Sequence, residues 1–574
     1  MTVSEIKTPR KRNFLNDDFN IDSWETLEKY YKTLISYEIY SLDDLTNWLK
    51  NKSELESAIS EQVGKRYIKM TCFTENEEYR KAFNDYIENI DPNIAPYTNE
   101  LNKKLASCTF KSQLTSEADR IMLAKIDSDI EIFREENIPL YTQLQSKQQE
   151  YGSICGAMTI KDGDKELTLQ QANVKLQDTD RAVREKYYRL INERRLEEKD
   201  KLNQLYSELI ALRHQIAQNA GFENFRDYMF KAMHRFDYTP QDCFDFHDSV
   251  KNTVVPLLNT FAEKRKTKLG VEKLRPWDLA VDPDNLPALK PFNGGEDLLQ
   301  RTQNCFNQMN PFLGQCLQIM AEMEHLDLVS RKGKAPGGYN YPLDETGVPF
   351  IFMNAAGTMQ DVITMLHEGG HAVHSIVTKP LALSDYRNLT SEIAELASMS
   401  MELISMDYWN NFDLNEAEEI RAKIHHLEHA LETLPWVATI DKFQHWIYEN
   451  PTHSIEERLQ KWNEIHSEFA LDVLDWSGLE TYKQHVWQKQ LHLFEVPFYY
   501  IEYGIAQLGA FGVWKNCKVD FQKGLSQYLD ALKLGYSKSI KEVYATAGVE
   551  FNFSKNNITQ IVEFVKTEIH KLEK

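Results

Sequence analysis

The sequence lacks a surplus of positive charge and any long apolar run. It has 87 acidic against 66 basic residues, which gives a net charge of −21. This balance excludes proteins that bind nucleic acid through clustered Lys and Arg. No stretch approaches 18 apolar residues, so we expect no membrane span. Residues 1–13 are basic and polar without an apolar segment behind them, so we expect no signal peptide and a cytoplasmic location.

The sequence also lacks paired cysteines. Its seven cysteines are scattered and odd in number, and none forms a Cys-x-x-Cys motif. This pattern is typical of reduced thiols rather than of a disulfide framework or a zinc–cysteine site. The 574 residues are 42% hydrophobic and 27% charged, as in a globular protein with a large core.

Helical periodicity is present along most of the chain. Over residues 14–150, charged residues alternate with Leu, Ile, Tyr and Phe at three-to-four spacing. The pattern breaks at 158–169, where two β-prone runs flank Asp162-Gly163 and predict a hairpin. We therefore expect a mainly α protein with an N-terminal helical region, residues 1–156, and a main domain, residues 157–574.

One further strand is predicted at residues 348–354, after a Gly-rich turn. Pro349 cannot donate a ladder hydrogen bond, which favours an edge position or the start of a strand. An exposed edge could pair with an extended peptide. The alternative is a small structural sheet.

The most informative stretch contains His-Glu-x-x-His. In a helix, His367 and His371 lie one turn apart on one face and can bind one zinc ion. Glu368 is rotated by about 100° and can act on a water at the metal without coordinating it. Gly369 and Gly370 each cost roughly 1 kcal/mol relative to alanine. They indicate the close approach of a packed helix or of a substrate.

A zinc hydrolase needs a third protein ligand. His374 shares the face of the two histidines but lies about 10.5 Å along the axis, which favours a packing role or contact with a ligand. A glutamate on the following helix is sterically easier. Glu392 falls in the first turn of that helix and Glu395 one turn deeper, among small residues. Glu402 lies on the same face as Glu395 and is a candidate partner for a ligand histidine.

Tyrosines are concentrated near residue 500. Tyr500 and Tyr503 are three residues apart and can share a helix face. Their neutral hydroxyls could stabilise an oxyanion formed during amide hydrolysis. Packing in an aromatic core is the alternative.

Together these segments resemble peptidase family M3, the zinc metallopeptidases that include oligoendopeptidase F and thimet oligopeptidase. The matching segments are Phe350–Asn354, Asp361-Val362, His367–His374, Ala394–Ser398 with Glu402, and Pro497–Tyr500 with Tyr503. The hairpin followed by Asp180–Arg184 resembles the start of the family's main domain. The resemblance spans roughly residues 157–560.

The resemblance implies a role for each matching residue. His367, His371 and Glu395 would bind one zinc ion per chain, with Glu368 as general base and His374 and Glu402 near the ligands. Tyr500, Tyr503 and His492 would act on the transition state. Substrate would contact residues of the strand and of the turn before it: Phe352, Met353, Asn354, Ala355, Gly338 and Tyr339. The implied fold is a large helical bowl with a deep substrate channel and a small β-sheet beside the metal helix.

We therefore expect a monomeric zinc oligoendopeptidase that hydrolyses internal bonds of short unstructured peptides with a zinc-bound water activated by Glu368. One alternative is a peptide-binding protein that keeps the fold without catalysis, although such a binder would not need the Glu368 base. The other is an exopeptidase of the dipeptidyl carboxypeptidase kind. No charged residue could be assigned to fix a peptide terminus for it.

Overall fold

Helices dominate the computed structural model, which describes residues 2–574. The prediction of a mainly α fold with a small sheet is confirmed. The chain forms two compact units, each built from three segments. Unit 1 comprises Met1–Phe133, Leu289–Lys423 and Ala506–Phe551, and unit 2 comprises Arg134–Ala288, Ile424–Ile505 and Asn552–Lys574. The predicted domain boundary at residue 156 stays a prediction.

The first segment of unit 1 contributes α-helices whose buried residues recur at three-to-four spacing. In the second of them, Leu27, Tyr30, Tyr31 and Leu34 face the core, as the periodicity predicts. The helices are α1 (Val3–Lys7), α2 (Trp24–Ser36), α3 (Leu42–Cys72), α4 (Glu77–Asn89), α5 (Asp91–Ser107) and α6 (Glu117–Ile132).

The first segment of unit 2 begins with a helix and the predicted hairpin. Its elements are α7 (Ile138–Gly156), β1 (Thr159–Asp162), β2 (Lys165–Thr168), α8 (Leu169–Val174), α9 (Arg181–Glu197), α10 (Lys199–Asn219), α11 (Phe225–Ala232) and α12 (Pro240–Lys268). The two strands pair antiparallel. Gly163 has a φ of 62°, in the left-handed region that glycine adopts without strain. The hairpin prediction is confirmed.

The second segment of unit 1 carries the three-stranded sheet and the helix with the His-Glu-x-x-His motif. Its elements are α13 (Gly295–Met309), α14 (Pro311–Glu322), β3 (Leu326–Val329), β4 (Tyr339–Tyr341), β5 (Phe350–Ala355), α15 (Met359–Thr378), α16 (Ser384–Arg387) and α17 (Ser391–Ile404).

The remaining α-helices, from residue 416 onward, are α18 (Glu416–Glu449), α19 (Ile455–Phe469), α20 (Glu480–His485), α21 (Leu491–Glu495), α22 (Tyr500–Val519), α23 (Phe521–Lys533), α24 (Ile540–Thr546) and α25 (Lys555–Leu572).

The predicted strand lies at the centre of its sheet, in the order β3-β5-β4. β5 pairs parallel with β3 and antiparallel with β4. The prediction of a strand start at Pro349 is right, because β5 begins at the next residue. The prediction of an exposed edge is wrong for β5, since both of its sides are paired. The two edge strands are β3 and β4.

Within residues 2–574, the helices include none that is both long and apolar enough to cross a bilayer.

Candidate active site

The metal helix, α15, begins directly after the sheet. Thr358 caps it, and Asp361 completes the capping box, so the first turn is fixed by reciprocal hydrogen bonds. β5 ends three residues before this cap, at Ala355. The position of the helix start therefore depends on the sheet, and it sets where His367 and His371 project.

α15 and α17 pack closely because of glycine. A Cβ on Gly370 would lie 2.7 Å from Ser398 Cα and 2.8 Å from Ala397 O, which are backbone atoms of α17. A Cβ on Gly369 would lie 2.8 Å from the Phe306 ring. The packed-helix interpretation of the two glycines is therefore right. The contact brings the glutamates of α17 close to the histidines of α15.

Three predicted metal ligands converge between these helices. Glu395 Oε2 lies 3.4 Å from His367 Nε2 and 3.7 Å from His371 Nε2. Donor atoms about 2.1 Å from a tetrahedral metal lie about 3.4 Å apart. One donor atom from each residue falls within 4.8 Å of the other two. The two measured separations are therefore close to those expected around a tetrahedral zinc ion.

The charge of the site also fits a cation. Burial by itself lowers the pKa of His367. The hydrogen bond to Glu402 and the nearby carboxylates outweigh burial and raise this pKa to about 10. Burial and the neighbouring His367 hold the pKa of His371 well below its usual range, so this imidazole is neutral. The carboxylates thus stabilise positive charge at the place where a metal would sit.

Two side chains orient the candidate ligands. His367 Nδ1 donates to Glu402 Oε1 at 2.6 Å, so its Nε2 is left to face Glu395. Ser398 Oγ donates to Glu395 Oε2 at 3.1 Å. We predicted the first contact but missed the second. The Glu-x-x-Ser spacing on one helix face was the available signal.

Glu368 is separate from the donor set. Its side chain is buried, and Oε2 has no hydrogen-bond partner among the described residues. Burial raises the pKa of Glu368 to about 7. A buried carboxyl with a free oxygen next to a cation site can accept and return a proton.

The other candidate ligands lie elsewhere. Neither Glu392 nor His374 belongs to the group of converging donor atoms found among the described residues. The backbone carbonyl of Glu392 accepts a hydrogen bond from Tyr544. His374 is buried, and burial lowers its pKa to about 3.

The predicted substrate-binding residues on β5 face the interior. Phe352, Met353 and Ala355 are buried, and the Phe352 ring stacks on Tyr339 at 4.8 Å. The Asn354 amide donates to the carbonyls of Ala335 and Gly337 and so holds the Gly-rich turn.

The residues of the turn and of β4 lie nearer to the metal helix. A Cβ on Gly338 would lie 3.3 Å from the Phe352 carbonyl, so this position packs against β5. Asn340 donates to the backbone carbonyl of Glu368 at 3.4 Å. Strand β4, at the edge of the sheet, therefore runs beside α15.

In unit 2, His492 and the tyrosines form a cluster. The His492 ring lies 4.9 Å from Tyr500 and 5.6 Å from Tyr503, and its Nε2 is 3.4 Å from the Tyr503 hydroxyl. Gln490, which we did not predict, donates to His492 Nδ1 at 2.7 Å. Burial lowers the pKa of His492 to about 4 and raises that of Tyr500 to about 12, so a neutral imidazole faces the protonated phenol of Tyr500.

The turn before α22 is strained. Phe498 has a φ of 66°, in the left-handed region that is unfavourable for a residue with a Cβ. Its N–H donates to Gln444 at 2.7 Å, and its carbonyl accepts from Arg235. These buried contacts hold the strained turn and thereby fix where Tyr500 starts the helix.

The helical fold, with two histidines from one helix and a glutamate from the next, defines the chain as a protein of the metallopeptidase class. Its sequence matches peptidase family M3 over residues 174–562 and the peptidase M3 N-terminal domain over residues 14–133. The chain therefore belongs to peptidase family M3, as the sequence resemblance implied.

Individual relatives agree with this assignment. The chain is 22% identical over 345 residues to an oligoendopeptidase F homolog of Lactococcus lactis, covering 58% of this chain and 57% of that protein. It is 23% identical to an oligoendopeptidase F homolog of Borreliella burgdorferi over an alignment of 604 residues. This alignment covers 99% of this chain and 94% of that protein. The structure of PZ peptidase A with an inhibitor matches this chain with a TM-score of 0.90 and 26% sequence identity. The match covers 97% of this chain and 99% of PZ peptidase A. The first of these matches thus spans little more than half of the relative's length.

Proposed function

We propose that this chain is a zinc-dependent oligoendopeptidase that hydrolyses internal peptide bonds of short, unstructured peptides. One observation carries the proposal: His367, His371 and Glu395 converge as a zinc-type donor set while a separate buried carboxyl, Glu368, stays outside it. A protein that only binds peptides has no need of that fourth group. We further propose a cytoplasmic location, a monomeric state and a catalytic domain starting near residue 157.

The chain's own residues divide the chemistry between them. When bound, zinc supplies Lewis acidity that polarises the scissile carbonyl and lowers the pKa of water. His367, His371 and Glu395 hold the ion, and Glu402 and Ser398 keep two of these ligands oriented. Glu368 takes the proton of the attacking water and passes it to the leaving amine.

The substrate is proposed to lie extended along β4 rather than along β5. β4 forms an edge of the sheet, and Asn340 ties it to the backbone of Glu368. An extended peptide can add to such an edge through main-chain hydrogen bonds, which depend little on side-chain sequence. Gly338 and Tyr339 then contact the substrate, while Phe352 and Met353 support the strand from inside.

Tyr500 and Tyr503 are proposed as donors to the oxyanion of the transition state. The support is chemical: burial raises the pKa of Tyr500, so its phenol stays protonated at neutral pH, and neutral hydroxyl donors such as these stabilise developing negative charge. His492, held by Gln490, positions the Tyr503 hydroxyl.

The test is replacement of Glu368 with Gln. We expect the variant to keep one zinc at the His367–His371–Glu395 centre and to lose hydrolysis of internally quenched peptides. Glu392→Gln is the matched control, because Glu392 is also a buried glutamate but lies outside the donor set. It should retain both metal and activity. Wild-type turnover in Glu368→Gln would refute the base assignment, and mass spectrometry of wild-type products would separate internal cleavage from terminal trimming.

A further inference from the structure

Unit 2 contains a second cluster of metal-type side chains. α12 carries Cys243 and His247, one helical turn apart, and α18 carries Asp441 and His445 with the same spacing. All four side chains are buried, with at most 2% of each exposed. Residues four apart lie on one helix face, so each helix presents two donors on one side.

The donors converge as they do in the first centre. One donor atom each from Cys243, Asp441 and His445 lies within 4.8 Å of the other two. Asp441 Oδ2 is 2.8 Å from His247 Nε2 and 3.3 Å from His445 Nε2. The His247 contact is a hydrogen bond, whereas the His445 nitrogen has close distance without hydrogen-bond geometry.

Several polar atoms of the cluster have no hydrogen-bond partner among the described residues. They are Asp441 Oδ1, His247 Nδ1 and both ring nitrogens of His445. Buried polar atoms are nearly always paired, because leaving them unpaired costs the full desolvation penalty. A bound ion would give several of these atoms one shared partner.

Besides Asp441 and His247 of the cluster itself, the ring contacts of His445 within residues 2–574 are with phenylalanines. Its ring contacts Phe244 at 4.7 Å, Phe498 at 5.4 Å and Phe230 at 6.3 Å between ring centroids. In so apolar a shell, charges must balance within the cluster. A divalent ion bound by one thiolate and one carboxylate gives zero net charge, with neutral imidazole as the third donor.

We propose that Cys243, Asp441 and His445 bind a second divalent transition metal ion, of the zinc and cobalt type, which joins α12 to α18. Thiolate and imidazole ligands select such metals over magnesium or calcium. His247 is a positioning residue: its Nε2 donates to Asp441 and fixes the carboxylate that binds the ion. The site is separate from the first centre and does not depend on the proposed peptidase activity.

The experiment uses the full chain, loaded with zinc or with cobalt. We expect two equivalents of metal in the wild type, and one in His371→Gln, which disables the first centre. The cobalt form should show a thiolate-to-cobalt charge-transfer band in the near ultraviolet. This band reports the second site alone, because the ligands of the first centre, His367, His371 and Glu395, contain no sulfur.

Single substitutions assign the ligands. Cys243→Ser should lose the band and one equivalent of metal, whereas Cys305→Ser, a buried cysteine of α13, should keep both. His247→Gln should keep the band at saturating cobalt but bind the second ion about 10- to 100-fold more weakly.

Two results would refute the second metal site. One equivalent of metal in the wild type without the band, or a band that persists in Cys243→Ser, would refute the site. If Cys243→Ser does not fold, the band in His371→Gln decides: its presence supports the site and its absence overturns it.

Discussion

At the scale of single residues, Ser398 is expected to set the metal affinity of the first centre. Its hydroxyl lies 3.1 Å from both Glu395 Oε2 and the Glu395 backbone carbonyl, so Ser398→Ala removes one contact that orients the carboxylate toward the two histidines. Loss of such an orienting contact typically weakens metal binding about 10- to 100-fold. Zinc affinity measured by competition with a chromogenic chelator tests this expectation.

Ser400 supplies the control for Ser398. It lies on the same helix, is fully buried, and its hydroxyl has no hydrogen-bond partner among the described residues. Ser400→Ala should therefore leave zinc affinity unchanged. Equal losses in the two variants would show a general effect of cavities in α17 and would remove the specific role of Ser398.

Tyr503 is expected to act on the transition state more than on substrate binding. Tyr503→Phe removes the hydroxyl near His492 while keeping the ring packing of the cluster. Removing one oxyanion donor lowers kcat on the order of 10²-fold. KM should change little, and Tyr499→Phe, a neighbouring ring, should change neither. A change in KM alone would make Tyr503 a binding residue.

Residue-level prediction rests on local signals. His367, His371 and Glu368 follow from one motif, because helical geometry fixes their relative directions. Cys243 and Asp441 could not be brought together in the same way, since they lie on helices almost 200 residues apart and each helix carries only two of the four donors. The cysteine count alone argued against a zinc–cysteine site, whereas the structure brings one cysteine next to one carboxylate and one imidazole.

At the scale of secondary structure elements, the contact between α15 and α17 depends on Gly370. An added Cβ would meet backbone atoms of Ser398 and Ala397, so Gly370→Ala must push the helices apart. We expect a loss of about 1–3 kcal/mol in the free energy of unfolding, the usual cost of overpacking. Because Glu395 moves with α17, zinc binding should fall as well. Thermal unfolding and metal content measure the two effects.

Gly152 is the matched control for Gly370. It also lies inside a helix, but an added Cβ would have no neighbour within 4 Å. Gly152→Ala should therefore leave stability unchanged or raise it by up to about 1 kcal/mol, through higher helix propensity. A Gly370→Ala protein as stable as wild type, with full zinc content, would contradict the close-packing argument.

The two small sheets show what a local pattern can predict about an element. The hairpin at residues 158–169 was predictable because its strands are adjacent and Asp162-Gly163 encodes the turn. The central position of β5 was not, because its partner β3 lies more than 20 residues earlier and pairs in parallel. Pro349 correctly marked where the strand starts, but a missing N–H before the strand does not show which strands lie on either side.

At the scale of the whole molecule, the two units are discontinuous in sequence. Each collects three separate segments, so long-range contacts and not composition decide the division. The break in helical periodicity near residue 157 marks a change of local structure, and it lies between the two regions that match the M3 family. No local pattern reveals that residues 289–423 pack with the N-terminal segment. Local periodicity thus predicts the elements but not their grouping.

The net charge of −21 should affect which peptides reach the site fastest. A negative field attracts cationic peptides and repels anionic ones, so kcat/KM should favour a peptide with Lys over its Glu counterpart when the substitution lies away from the cleaved bond. The preference should fade as ionic strength rises from about 0.01 M to 0.5 M, because the Debye length falls from about 30 Å to below 10 Å. An uncharged Gln peptide, as control, should show little salt dependence. A Lys preference that is independent of salt would instead indicate a specific carboxylate contact, and the long-range field would then have no part in substrate selection.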